Sequence, residues 1–314
     1  MRALVVTNMY PRAADPARGS FVRDQVEALR QLPDTEVEVF AFTSAGTSSY
    51  LRAARELRQR YRGVRFDIVH AHFGLTIWPS LAIHGPPHVV TLHGTDLAHP
   101  RSRLITAAGL PFVQLAAPVS ESLMEMLPRT VLRGQVAVLP CGVNIDRFRA
   151  IDRAEARRSL GLDPRRPHLL FPADPARSEK RYDRALELAG DIPLLALGNV
   201  EPDQVPVRVN AANAVLVTSE RESFGLAVLE ALACDVPVLS TPVGVAPEAL
   251  RGIERAHCGP FDLAAWRSVL QPLLADPDPR VRGREAAERY SAARMAQRVR
   301  AEWARLIGAG NSAV

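Results

Sequence analysis

Lysine is almost missing from this chain: Lys180 is the single one among 39 basic side chains, all the others being arginine. Such a lone lysine marks a place where a compact point charge is not replaced by a planar fork. Cysteine is scarce too. Cys141, Cys234 and Cys258 are scattered, odd in number and without metal-ligand spacing, so they read as reduced thiols of a cytoplasmic protein. No apolar run reaches the roughly 18 residues that read as a membrane-spanning helix, and the opening MRALVVTNMY is interrupted at Thr7 and Asn8, too soon for a secretory signal. The G-x-G-x-x-G of ordinary dinucleotide oxidoreductases is absent. Aromatic residues, 6% of the chain, do not interleave with basic ones as a nucleic-acid platform requires, so no nucleic-acid partner is expected.

What is present is an alternation of short β-type runs and helical segments, the pattern of an α/β chain with parallel sheets. RALVVTN, EVEVFAF, FDIVHAHFG and HVVTLHGTDL read as strands of a first half, HLLFPAD, DIPLLALG, AANAVLV and VPVLST as strands of a second. At roughly 100–200 residues per domain, 314 residues allow two. The charged stretch 150–166 ends in prolines and reads as a linker, which puts the domains at 1–162 and 163–284. Residues 285–314 follow as one amphipathic helix, with Tyr290, Met295, Val299 and Trp303 near helical spacing, and a tail, GAGNSAV, expected to be disordered.

The chain is organised around Thr218 to Glu248. An apolar strand leads into Glu222-Ser-Phe-Gly-Leu226, a helix follows, and VPVLST is the next strand. Ser223, Phe224, Gly225 and Leu226 therefore lie at a helix N-terminus, where unpaired N–H groups and the helix dipole favour an anion and glycine permits close approach. Glu222 precedes the helix and Glu230 sits about two turns on from Ser223. A ligand touching both carboxylates must be long, with phosphate between two hydroxyl-rich ends, the shape of a nucleoside diphosphate sugar. A capping Glu and a solvated helix Glu would leave the same trace.

The run from Glu222 to Glu230 resembles the E-x7-E signature of retaining glycosyltransferases of the GT-B fold, specifically family 4 (glycosyl transferases group 1). The resemblance implies two Rossmann-like domains facing across a cleft, with a C-terminal helix crossing back to the first. It implies that Glu222 faces the donor sugar, that Glu230 holds the ribose, and that Ser223, Phe224, Gly225 and Leu226 line the diphosphate. His93-Gly-Thr-Asp96 is similar to the family's H-G-x-D loop, whose histidine contacts the sugar near its reacting carbon. Gly19 falls in the glycine loop bordering donor and acceptor, and Arg177 and Lys180 match the basic pair that stabilises the leaving diphosphate, although the family's spacing is wider. No cofactor and no metal are implied: His70, His72, His93 and His99 lack helical H-x3-H spacing and arranged carboxylates. The partners implied are a nucleotide-sugar donor, a hydroxyl acceptor (glycan, lipid-linked or small molecule) and an anionic membrane, met at the inner face through Arg52, Arg55 and Arg58 on one helix face.

Two departures stand out. Asp235 and Val245 occupy places where the family commonly has glycine, and the second half lacks a helix and strand. Asp235 suits a left-handed helix end and Val245 does not, so a reshaped loop is expected from Thr241 to Glu248. Two other readings fit the same residues: a nucleotide-sugar epimerase of the same fold, and a non-catalytic nucleotide-sugar-binding partner subunit.

Overall fold

A computed structural model describes residues 1–13, 15–198 and 200–311 and divides the chain into two compact units, Met1–Gly142 with Ala292–Val314, and Val143–Ser291. In the first unit, β1 (Arg2–Thr7), β2 (Glu36–Ala41), β3 (Ile68–His72), β4 (His88–Leu92), β5 (Leu115–Pro118) and β6 (Gln135–Val136) form one sheet in the order β2-β1-β3-β4-β5-β6, with every neighbouring pair parallel. All five residues of β3 and all five of β4 are buried, as expected of strands covered on both faces. Helix α1 (Ser20–Arg30) turns Val22, Val26 and Leu29 toward Ala3 and Val5 of β1. The C-terminal helix Ala292–Asn311 adds Met295, Ala296, Val299, Trp303 and Leu306 to that same core, so the chain's last element completes its first unit. On the other side of the sheet, α2 (Thr47–Arg60) packs Ala53 and Leu57 against Leu4, Val6, Phe40 and Val69.

The expected single helix from residue 285 is two helices, Arg284–Glu288 and Ala292–Asn311. Between them the backbone turns to β-type pairing: Val143 N donates to Tyr290 O at 2.9 Å and Val143 bridges to Ser291. An N–H and C=O spent on that bridge cannot close a helical turn. Of the tail, Gly308 to Asn311 continue the helix, and residues 312–314 lie outside the described residues.

The second unit holds β7 (Leu169–Phe171), β8 (Leu194–Ala196), β9 (Ala214–Val217), β10 (Val238–Ser240) and β11 (His257–Cys258), all parallel, in the order β11-β10-β9-β7-β8. It begins at Val143, earlier than the boundary near Leu162, because the stretch read as a charged linker is structured. Asp152 caps the helix Arg153–Ser159 by accepting from Glu155 N at 2.7 Å. Arg153 and Arg157 on this helix are buried. Arg153 donates to Ala212 O at 3.0 Å and Pro279 O at 2.9 Å and pairs with Asp278. Arg157 donates to Ala211 O at 2.9 Å and Asn213 Oδ1 at 2.7 Å. Guanidiniums so satisfied tolerate burial, and they fasten the segment to the second unit.

Candidate functional site

In the second unit the strand order reverses at β7, whose neighbours are β8 and β9. Open parallel sheets bind ligands outside the carboxyl ends of the strands at such a switch point. The segment after β7 carries Lys180, in the one-turn helix Ser178–Lys180, and the segment after β9 carries Glu222. They meet there: Lys180 Nζ donates to both Oε1 and Oε2 of Glu222 at 2.6 Å. Ser219 Oγ donates to Glu222 Oε1 at 2.8 Å. The two loops are also stitched by a backbone bond, Glu220 N to Glu179 O at 2.9 Å, and by the Thr218 hydroxyl, which donates to Arg181 O at 2.9 Å. With side chains only 12% and 14% exposed, the Lys180–Glu222 pair is shielded from water, where Coulomb attraction is stronger than on an open surface.

Arg177 is not brought to Glu222. Its guanidinium donates to Glu179 Oε1 at 2.7 and 3.0 Å on the exposed side of the loop. Glu230 lies half-buried on the helix Leu226–Ala233, whose N-cap Gly225 has a left-handed backbone (φ 90°) and no side-chain cap. Ser223 is half-buried beside it, and Phe224 is buried with its ring centroid 5.9 Å from that of Tyr290.

The departures are accommodated locally. Asp235 adopts the left-handed conformation expected of it (φ 54°), and its Oδ1 accepts from Gly283 N at 3.0 Å and Arg284 N at 3.1 Å. Val245 needs no unusual backbone (φ −79°), because Gly244 before it takes the left-handed turn (φ 55°). Val245 N donates to Phe224 O at 2.7 Å, so the loop after β10 and the loop of Glu222 are joined.

In the first unit the switch point lies between β1 and β3. Gly19 caps α1 in a left-handed conformation (φ 68°) with its α-carbon against the Met9 carbonyl; a methyl there would overlap Met9 O and lie 2.8 Å from Tyr10 N. His93 follows β4 and is half-buried, its ring centroid 4.8 Å from that of Phe21. Its loop is set by Asp96, which accepts from His93 N at 3.1 Å, Gly94 N at 2.7 Å and Gly74 N at 3.1 Å. His70, His72 and His93 stack, with centroids 4.7 and 5.3 Å apart. His72 Nδ1 lies 3.0 Å from His93 Nε2, and Gln25 Nε2 lies 3.3 Å from His72 Nε2. With Gln25 donating, His72 donates onward from Nδ1 and His93 carries its proton on Nδ1. Sequence reasoning had no sign of Gln25 or Ser219, since neither belongs to a motif. Among the described residues no group of three or more His, Cys, Asp or Glu is placed to hold a metal ion. Arg52, Arg55 and Arg58 are all exposed on α2, and among the described residues no helix is long and apolar enough to cross a membrane.

Burial holds these rings neutral. It pushes His70 and His93 down to about 3, with a small repulsion from His93 at His70, and His72 well below the ordinary range. A folded-state value below the unfolded one near 6.5 means that the unfolded chain binds more protons, so stability rises with pH between the two. The stabilisation is complete above about pH 6.5 and is lost as pH falls toward 3. The melting temperature is therefore expected to drop steeply between about pH 6 and pH 4, and less steeply in His70→Phe. Equal slopes in the two proteins would exclude the cluster as the cause.

Comparison with known proteins bears on the fold and the family. Residues 3–147 match the family model Glycosyltransferase Family 4 and residues 161–290 match Glycosyl transferases group 1. The D-inositol 3-phosphate glycosyltransferase of Mycobacterium sp. (strain KMS) is 27% identical over 325 aligned positions, covering 86% of this chain and 72% of that protein. Sucrose-phosphate synthase of Thermosynechococcus elongatus shares the fold with a TM-score of 0.76 at 19% identity, over 98% of this chain and 100% of that one. HepE of Anabaena, solved with UDP and glucose, has a TM-score of 0.72 at 15% identity, over 97% and 100%. The two matching models and the shared architecture of two parallel-sheet units mark a glycosyltransferase of the GT-B type. More particularly, the chain belongs to the family-4 glycosyltransferases, group 1.

Proposed function

We propose that the protein transfers a sugar from a nucleoside diphosphate sugar to a hydroxyl acceptor with retention at the anomeric carbon. The observation that carries this is the Lys180–Glu222 pair at the switch point of the second unit, directly before the helix of Glu230. In this reading the diphosphate lies against the Ser223–Leu226 backbone and Lys180, which offset the charge that develops as the C1–O bond breaks. Arg177 joins them only by leaving Glu179. Glu222 has both oxygens occupied by Lys180 and one also by Ser219, which suits a group that holds sugar hydroxyls rather than a nucleophile. Retention then arises from attack on the face the leaving group departs from, with the departing phosphate oxygen taking the acceptor's proton. His93 contacts the sugar, Gly19 lets the chain pass close to it, and Glu230 binds the ribose. No metal is needed.

HepE was solved with UDP, which makes uridine the first base to test. Uridine diphosphate and its sugars are expected to raise the melting temperature without added metal, because a ligand bound only by the folded state stabilises it. At a ligand concentration of about 100 times Kd the gain is about 2.7 kcal/mol. The shift should vanish in Glu230→Ala. Shifts from no nucleoside diphosphate of any base would overturn the donor assignment.

A further inference from the structure

The first unit contains a recess at the carboxyl edge of its sheet, lined by residues other than those of the Gly19 and His93 loops. Its volume is about 680 Å³, and its walls are Thr47, Tyr50, Leu51 and Ala54 from α2, Leu75 from the turn after β3, and Trp78 with Ile105 opposite. Pockets of roughly 300–1,000 Å³ suit drug-sized molecules. The lining is overwhelmingly apolar, yet large apolar side chains stand open to solvent at its rim, Leu51 at 59% and Trp78 at 40% exposure. Trp78 is fixed there: its Nε1 donates to Ile105 O at 3.2 Å and its ring meets Phe112 with centroids 6.1 Å apart. Contiguous exposed apolar surface of this kind marks an interaction or ligand-binding site.

The recess is connected to the site loops. Tyr50 accepts from Asn8 Nδ2 at 3.0 Å, and Asn8 lies directly after β1, in the segment that packs on Gly19. Leu75 follows Gly74, whose N–H is held by the same Asp96 carboxylate that fixes the His93 loop. An occupant of the recess thus lies next to the loops assigned to the sugar.

Resting on the transferase reading above, we infer that this recess receives the apolar body of the acceptor, and that the acceptor is a small amphipathic molecule: a hydroxyl-bearing polar end joined to an aromatic or alicyclic group. A concave pocket of this size takes a compact apolar group, whereas a membrane surface calls for a projecting one. Arg55 and Arg58 follow Leu51 on the same helix face by spacing, so an anionic substituent on the acceptor has a partner at the rim.

Tryptophan emission tests this without turnover, since Trp266 and Trp303 are fully buried and Trp78 alone is open. Titration with p-tert-butylphenyl glucoside is expected to give a saturable blue shift, with a Kd at least about tenfold below that of methyl glucoside. Ala54→Phe, which fills the recess, and Leu51→Asp, which makes its rim polar, should each erase that preference. Melting curves and the uridine diphosphate shift check that both variants are folded. Equal affinity for the two glucosides, or a preference that survives in both variants, would overturn the assignment. So would a Trp78 shift with phosphatidylglycerol vesicles and none with either glucoside, which would make the recess a membrane contact. Failure here leaves the nucleotide titration untouched, and failure there leaves this binding measurable, so the two readings fall separately.

Discussion

Replacing Lys180 with glutamine is expected to lower sugar transfer by about 10²–10³-fold, the usual cost of removing one donor from a developing oxyanion. The loss should fall on kcat more than on KM, because the ammonium serves a charge that is largest in the transition state. Stability should fall as well. Glu222 would keep only the Ser219 hydroxyl at a site shielded from water, and stranding one member of a fully buried pair costs about 3–5 kcal/mol, an upper limit here. The two effects separate in the double variant Lys180→Met, Glu222→Met, where an apolar pair should recover much of the melting temperature and none of the transfer. Glu222→Gln alone is expected to bind free nucleoside diphosphate more tightly than the parent, since it frees Lys180 and removes a negative charge, while transfer still falls. Near-parental kcat in Lys180→Gln, measured by release of nucleoside diphosphate, would remove Lys180 from the reaction.

Gly244→Ala should be nearly as damaging, although Gly244 has no functional group. A methyl there would overlap Phe224 O, stand 2.8 Å from Phe224 C and press on Glu222 Cβ at 3.1 Å, from a backbone at φ +55°. The left-handed conformation costs an alanine about 1–2 kcal/mol and overpacking about 1–3 kcal/mol more. Relief requires the Glu222–Phe224 segment to move, and displacing reacting groups by about 1 Å can cost 10²-fold in rate. Gly252→Ala is the control, because its φ is +74° but nothing lies within 4 Å of the added carbon; it should show the conformational cost with full transfer. If both variants keep parental kcat, the loop after β10 does not set the position of Glu222.

These effects trace which parts of the molecule were legible in the sequence. The stretch from Glu222 to Glu230 was, since a strand, a turn and a helix in succession place their own residues, and the scarcity of lysine singled out Lys180 before any contact was seen. Asp235 could be assigned its backbone conformation because it stands where the resembled family commonly has glycine and aspartate tolerates the left-handed turn. The histidine network could not be foreseen. Gln25 and His72 are far apart in the chain, as are His72 and His93, and only the parallel pairing of β1, β3 and β4 brings them together. The three backbone N–H groups that Asp96 gathers come from two different loops, which no spacing encodes. Arg153 and Arg157 misled for a related reason: a charged side chain reads as surface unless one knows that carbonyls of the next elements wait for it. Nor could the sequence foresee that Glu179, two residues away, holds the Arg177 guanidinium.

The core formed by α1, β1 and the helix Ala292–Asn311 also has a consequence for biosynthesis. The ribosome delivers the six strands of the first sheet early, but Trp303 and its neighbours emerge only after the whole of Val143–Ser291. For that interval the apolar side of α1 and β1 is uncovered in the nascent chain, while the later-made unit already has every residue it needs. The half translated first is thus the half finished last, and the exposed strip is a natural stop for a chaperone until the closing helix arrives.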